Sequence, residues 1–163
     1  MPARGGAALG LACVAVMLAA CGFHLQGHTP LPAVVKTPYL EAPDRQSDFV
    51  AGLRHELLTN GAQLMPEKGK SSAVISVLQD QMVRRVVSVS AANQPNQYEI
   101  TYTVRVAVTA GDKQLLPAQD VIETRTYSFS EPLLLAKGNE EDVLREDMAR
   151  SLADRVMRLL SQL

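Results

Sequence analysis

The most regular alternation in the chain runs from Tyr98 to Thr109. Tyr98, Ile100, Tyr102, Val104, Val106 and Val108 fall on one side, and Glu99, Thr101, Thr103, Arg105 and Thr109 on the other. A period of two with one apolar side predicts a half-buried antiparallel strand. Upstream, Ala73 to Ser90 is rich in Val and Ile, but its alternation slips around Asp80, which predicts a bulge or a long twisted strand. The link between the two, A-A-N-Q-P-N-Q, is polar and turn-forming. The chain turns again at Gly111-Asp112. A last strand is predicted from about Gln119 to Ser130, with Val121, Tyr127 and Phe129 on one side. Residues 34 to 42, V-V-K-T-P-Y-L-E-A, read as a first strand. Pro38 removes a ladder donor there and makes it an edge strand or an interrupted one.

Two segments carry the helical period instead. From Ser47 to Thr59, Phe49, Val50, Leu53, Leu57 and Leu58 recur at three- and four-residue steps, with Arg54, His55 and Glu56 opposite. Asp44 or Ser47 caps the start, and Asn60-Gly61 supplies the stop. The second helix closes the chain. Asn139 suits an N-cap, and Glu140, Glu141 and Asp142 complement the positive end of the helix dipole. Leu144, Met148, Leu152, Val156, Leu159 and Leu160 form its stripe, and Arg145, Arg150, Arg155 and Arg158 lie largely off it. A membrane-surface helix would carry a more one-sided basic face, which favours packing on a core.

The order strand, helix, three strands, helix implies antiparallel hairpins for the consecutive strands. The predicted fold is α/β in the broad sense (α+β). It is a two-layer sandwich, a four-stranded mainly antiparallel sheet with two helices on one face and the other face open to solvent or a partner.

The N-terminus differs from all of this. Arg4 is the only charged residue before Lys36, and the sixteen residues from Gly5 to Ala20 carry no strongly polar side chain. A positive start, an apolar middle and a small-residue end make a secretory signal peptide. The competing reading is a spanning helix, but the run is short for the roughly 20 residues a bilayer core needs. The run ends L-A-A-C, which resembles the lipobox of bacterial lipoproteins. That resemblance implies diacylglycerol on the Cys21 thiol, cleavage before Cys21 and acylation of the new amino group. The other Cys, Cys13, would leave with the signal. Cys21 would then lack a partner in its own chain, a circumstance that acylation explains; the plainer alternative is a free or disulfide-forming Cys. More than one acyl chain gives stable anchoring, at about 0.8 kcal/mol per buried CH₂. Gly22 is not the Asp that lipoprotein sorting associates with inner-membrane retention, so the resemblance implies the outer membrane, inner leaflet, with the domain facing the periplasm. The expected organisation is a signal peptide at 1–20, a lipidated tether at 21–33 and one sandwich domain at 34–163.

Removing the signal leaves 143 residues, enough for one core, with 15 Lys and Arg against 17 acidic residues. A nearly neutral domain without Trp argues against nucleic acid as a partner, which needs a basic face. No catalytic constellation stands out. His24 and His28 are four apart in a Pro-rich stretch and make a weak metal motif, and His55 sits on a helix beside Glu56. There is no Gly-rich phosphate loop and no G-x-S-x-G. The acidic run at 140–142 offers cation ligands or helix-dipole partners, and the second use is the commoner. No enzyme activity, cofactor or metal is expected.

C-G-F-H-L at 21–25 is more specific than a lipobox. Together with L-R-H-E-L-L-T-N-G at 53–61, Q-Y-E-I-T-Y-T-V at 97–104 and S-E-P-L-L-L-A-K-G-N-E-E-D at 130–142, in that order and spacing, it resembles the LPS-assembly lipoprotein family LptE, also known as RlpB. The resemblance spans nearly the whole mature chain. It implies a sandwich of two helices on a four-stranded sheet and a non-enzymatic role. A member of this family forms a 1:1 plug-and-barrel complex with the outer-membrane barrel LptD, supports its assembly, and binds lipopolysaccharide during delivery to the outer leaflet.

Lipopolysaccharide is anionic, so binding calls for local cations. Lys137, in L-A-K-G-N, matches one basic position of the family, although a solvated lysine beside a helix is the plainer reading of that residue alone. The other basic position follows a strand ending S-V-x; here the stretch is S-V-S-A-A and Ala91 stands in its place. Arg84, Arg85 and Arg105 are the candidates to compensate, with Arg84 and Arg85 open to the reading of an ordinary solvated pair. Two rival functions remain: a lipoprotein scaffolding another envelope assembly without lipid binding, and a periplasmic lipid carrier, which would need an enclosed apolar pocket.

Overall fold

The computed structural model describes residues 30–128 and a final helix from Leu134 onwards, with side chains from 141 to 163. The signal segment, Cys21, His24, His28 and Phe129 lie outside the described residues. Four strands and two helices follow in order: β1 (Pro38–Glu41), α1 (Asp48–Thr59), β2 (Ala73–Val89), β3 (Pro95–Ala110), β4 (Lys113–Ser128) and α2 (Leu134–Leu160). The sheet order is β1-β2-β3-β4. β1 runs parallel to β2, and the other two pairings are antiparallel. The mainly antiparallel two-layer sandwich read from the sequence is therefore the fold.

β1 is shorter than the predicted 34–42. Ala33–Val35 forms a 3-10 turn, and the strand begins at Pro38 itself. A proline at the first position of an edge strand gives up no ladder bond that the edge would need. Leu31, upstream of the predicted domain start, is already part of the core. The helix α1 starts as predicted. The Ser47 hydroxyl accepts from the Val50 amide, and Gly61 at φ +84° carries the chain out of the helix in the left-handed conformation. α1 packs closely on α2: a Cβ added at Gly52 would lie 3.7 Å from that of Ala153.

The core lies between the sheet and both helices. Phe49, Leu53 and Leu57 from α1, Ile75, Ile100, Val104 and Val106 from the sheet, and Met148, Leu152 and Leu160 from α2 are fully buried. On β3 the buried residues are Ile100, Tyr102, Val104, Val106 and Val108, the side that the alternation predicts. β4 begins at Lys113 rather than Gln119. Its ladder skips between Val106↔Gln119 and Val108↔Leu116, so Pro117 and Ala118 form a bulge. A bulge is where a strand tolerates a proline, and the proline hid the first third of the strand. α2 likewise begins at Leu134, so Asn139 is an interior helical residue and not the cap. The helix-forming run L-L-L-A-K carries it through Gly138 and Asn139, residues that cost a helix about 1 kcal/mol or less each.

The slip near Asp80 is a register shift between Val77 and Gln79 that leaves Leu78 unpaired and exposed. It changes which residues of β2 face the helices. Before it these are Ala73, Ile75 and Val77; after it they are Asp80, Met82, Arg84 and Val86, opposite Val104, Tyr102, Ile100 and Tyr98. The bulge thus sends Arg84 to the helix side and Arg85 to the open side.

Candidate functional site

β2 loses β1 after Ser76, and β2 and β3 continue as a long hairpin to a turn at 90–94, where Asn93 has φ 59°. Over this far end of the sheet, the helix side carries polar and aromatic groups. Arg84 is held from two sides, on a stacked aromatic pair. Its Nη1 donates to Oε2 of Glu141 at 2.9 Å, its guanidinium carbon sits 5.0 Å from the centre of the Tyr98 ring, and Tyr98 stacks on Tyr127 with ring centres 5.6 Å apart. The Tyr127 hydroxyl donates to the same Glu141 oxygen at 3.2 Å. Burial pushes the Tyr127 hydroxyl above its usual value. Tyr127 first and Glu141 second hold the Arg84 guanidinium more firmly protonated. Arg84 remains half-exposed. A cation fixed on an aromatic shelf, with one face toward water, is suited to an anion.

The four candidate basic residues do not converge on one spot. Lys137 lies in the first part of α2, one helical turn before Glu141, so its segment and Arg84 are brought to the same end of the sandwich. Arg85 and Arg105 lie on the open sheet face. Arg85 Nε donates to Glu99 at 2.7 Å, and Arg105 grips Asp120 with two bonds of 2.6 and 3.0 Å, which holds the Asp120 carboxyl below its usual range. All three arginines therefore already carry a carboxylate. Ala91 lies in the hairpin turn and is exposed.

The open face between these pairs is mostly Thr and Gln. Thr101 and Thr124 face each other across β3 and β4, and Gln79 bonds Gln81. Val83 and Ile122 are exposed among them, and toward the hairpin turn Val87 and Val89 are exposed, as is Val86 on the helix side. No group of three or more His, Cys, Asp or Glu among the described residues is placed to hold a metal ion. No helix among them is long and apolar enough to cross a membrane.

Two structural networks were not anticipated from the sequence. Glu123 is buried on the helix side of β4 and accepts from Ser151 at 2.8 Å, Arg155 at 2.9 Å and Arg125 at 3.0 Å, fastening β4 to α2. At the start of α1, Ser47 donates to Asp80, and Asp48 accepts from Arg145 at 2.6 Å. Tyr102 lies beside Asp80, and burial first, then that carboxylate, pushes its hydroxyl upward. Alternation alone placed Glu123 on the same side as Val121, which was the available signal.

Comparison with known proteins gives a consistent result. A family model described as LptE, Lipopolysaccharide-assembly, matches residues 35–160. The LPS-assembly lipoprotein LptE of Pectobacterium atrosepticum is 29% identical over 154 residues, covering 93% of this chain and 82% of that one. The protein of the same name from Photorhabdus laumondii is 27% identical over 153 residues, with the same coverage. Among solved structures, an uncharacterized lipoprotein B from Nitrosomonas europaea is similar with a TM-score of 0.71 at 25% identity, covering 86% of this chain and 90% of that one. The rare lipoprotein B of Shewanella oneidensis has the same fold, with a TM-score of 0.68 at 21% identity over 77% of this chain and 94% of that one.

Proposed function

The chain belongs to the LptE lipopolysaccharide-assembly family, and from that premise we propose that it is a non-enzymatic outer-membrane lipoprotein. It is anchored through acylated Cys21, plugs the LptD barrel in a 1:1 complex, supports assembly of that barrel, and binds lipopolysaccharide in transit. The observation that carries this reading is the family match across almost the whole sandwich, residues 35–160.

The physical character of the domain supports it. A plug must stay folded in water while touching a wall on several sides. The open sheet face is dressed with Thr, Gln and paired charges, which satisfies the first need, and its exposed Val83 and Ile122 offer contacts for the second. The space between the layers is filled by fully buried side chains such as Phe49, Leu53, Ile100 and Leu152, which speaks against a carrier that encloses acyl chains. Lipopolysaccharide would bind at the surface, through Lys137 and Arg84 at the end of the sandwich, with Arg85 and Arg105 on the open face.

The lipid half of this reading is tested by direct binding. Lys137→Asp and Arg84→Asp are each expected to weaken lipopolysaccharide binding several-fold, and unchanged binding in both would overturn those assignments. The barrel half is tested by placing a photoreactive residue at Val89 in the lipoprotein expressed with its outer membrane. A single covalent adduct with a large barrel is expected; adducts only with soluble periplasmic proteins would contradict it. A scaffold that binds no lipid is favoured by one observation, the carboxylate partner on each of the three arginines.

A further inference from the structure

We propose that Arg84 is an anion-binding group held in reserve by Glu141, and that a phosphate of lipopolysaccharide binds it by exchange with that carboxylate. This rests on the lipopolysaccharide reading above and adds to it a residue that sets which anions can bind.

The three arginine pairs differ in how readily they exchange. Arg105 spends two donors on Asp120 in a two-point clasp on the open face. Two-point pairs are the stronger and more specific ones. Arg85 meets Glu99 through one bond but is mostly exposed, and no aromatic ring among the described residues backs it. Arg84 meets Glu141 through one direct bond at 2.9 Å while the Tyr98 ring, stacked on Tyr127, holds the guanidinium in place from below. Removal of the carboxylate therefore leaves a positioned cation rather than a free side chain. Glu141 belongs to a different element, the first turns of α2, so its departure breaks no strand ladder and releases one further bond, that from the Tyr127 hydroxyl.

The exchange selects its ligand. A guanidinium fork accepts carboxylate and phosphate with the same geometry. A phosphate brings up to about two negative charges and three acceptor oxygens against one charge for Glu141. An ordinary carboxylate gains nothing by replacing another, whereas a phosphate does. Lys137 stands one turn from Glu141 along the helix. A phosphate at Arg84 thus arrives at the segment that carries the family's basic position, although Ala91 leaves the other such position empty.

The test compares full-length lipoprotein with three variants: Glu141→Gln, Asp147→Asn and Arg84→Gln combined with Glu141→Gln. Asp147 pairs with Arg150 elsewhere on α2, so Asp147→Asn makes the same change in net charge without touching Arg84. Binding is measured to purified lipopolysaccharide and, separately, to inorganic pyrophosphate, with thermal melts to confirm that each variant folds. Glu141→Gln is expected to bind both probes about two- to fivefold more tightly, the range set by the strength of an exposed ion pair. Asp147→Asn should change little, and the double variant should lose the gain. Equal gains in Glu141→Gln and Asp147→Asn, or no gain in either, would overturn the proposal. If no form binds lipopolysaccharide, the lipid reading itself fails. The pyrophosphate series then still decides the exchange, which stands only if Glu141→Gln alone gains.

Discussion

Replacing Glu123 by Ala should loosen the join between the sheet and its longer helix. The carboxylate is 8% exposed and accepts from Ser151, Arg125 and Arg155. A hydrogen bond to a charged group contributes about 1.5–3 kcal/mol when its partners are dry. Here the two arginine side chains are 38% and 43% exposed, and once released they turn into water. Their share is therefore discounted to that of surface pairs, up to about 1 kcal/mol each at most. The Ser151 hydroxyl stays part-buried and loses its acceptor. The sum is a loss of about 2 kcal/mol, which lowers the melting temperature by about 6–10 °C for a domain of this size. Glu123→Gln keeps the shape and the Ser151 bond and should lose about half as much.

The pH dependence follows from the sign of the shift. Burial raises the Glu123 pKa and is the largest single influence, but Ser151, Arg125 and Arg155 together outweigh it, so the folded value lies below the ordinary one. A carboxyl depressed in the folded state stabilises above its unfolded value of about 4.3 and loses that contribution as pH falls through the folded value. Urea melts at pH 7 and at stepwise lower pH should therefore show the gap between wild type and Glu123→Ala narrowing below about pH 4. A gap under about 0.5 kcal/mol at pH 7, or one that stays constant through the acid range, would refute the reasoning.

Other expectations follow from backbone and packing. Gly52→Ala should stabilise by about 0.5–1 kcal/mol in urea melts, because its new Cβ meets Ala153 at an ordinary 3.7 Å and the helix gains propensity. Destabilisation there would mean that α1 and α2 pack more closely than described. Gly61→Ala has open space around it but φ +84°, so it should lose about 1 kcal/mol through backbone strain alone. Leu53→Ala removes a fully buried side chain and should cost about 2–5 kcal/mol. Intact-mass analysis of the membrane-extracted protein should give a chain beginning at acylated Cys21; an unmodified thiol would reject the anchor.

Much of the sandwich was legible because its local signals agree with its packing. The alternation from Ile100 to Val108 names the buried side of β3, and Ser47 and Asn60-Gly61 mark both ends of α1. The misplaced boundaries have a common cause: residues that usually end an element sit inside one. Pro117 lies in a bulge of β4, and Gly138-Asn139 lie within α2. The site was harder. Alternation sends the neighbours Arg84 and Arg85 to opposite faces, but only the register shift at Leu78 decides which of them reaches the helix side. Glu141 reads as a dipole partner from its position in the chain. Its contact with Arg84 spans 57 residues and depends on where α2 crosses the end of the sheet, which no local pattern records.

The central proposal is the partnership with an outer-membrane barrel. Its most direct test is a detergent pull-down of the tagged lipoprotein from its own outer membrane, with mass identification and quantitation of what comes with it. One large β-barrel recovered in about equal amount to the lipoprotein is the predicted result. Recovery of the lipoprotein with no barrel would contradict the plug.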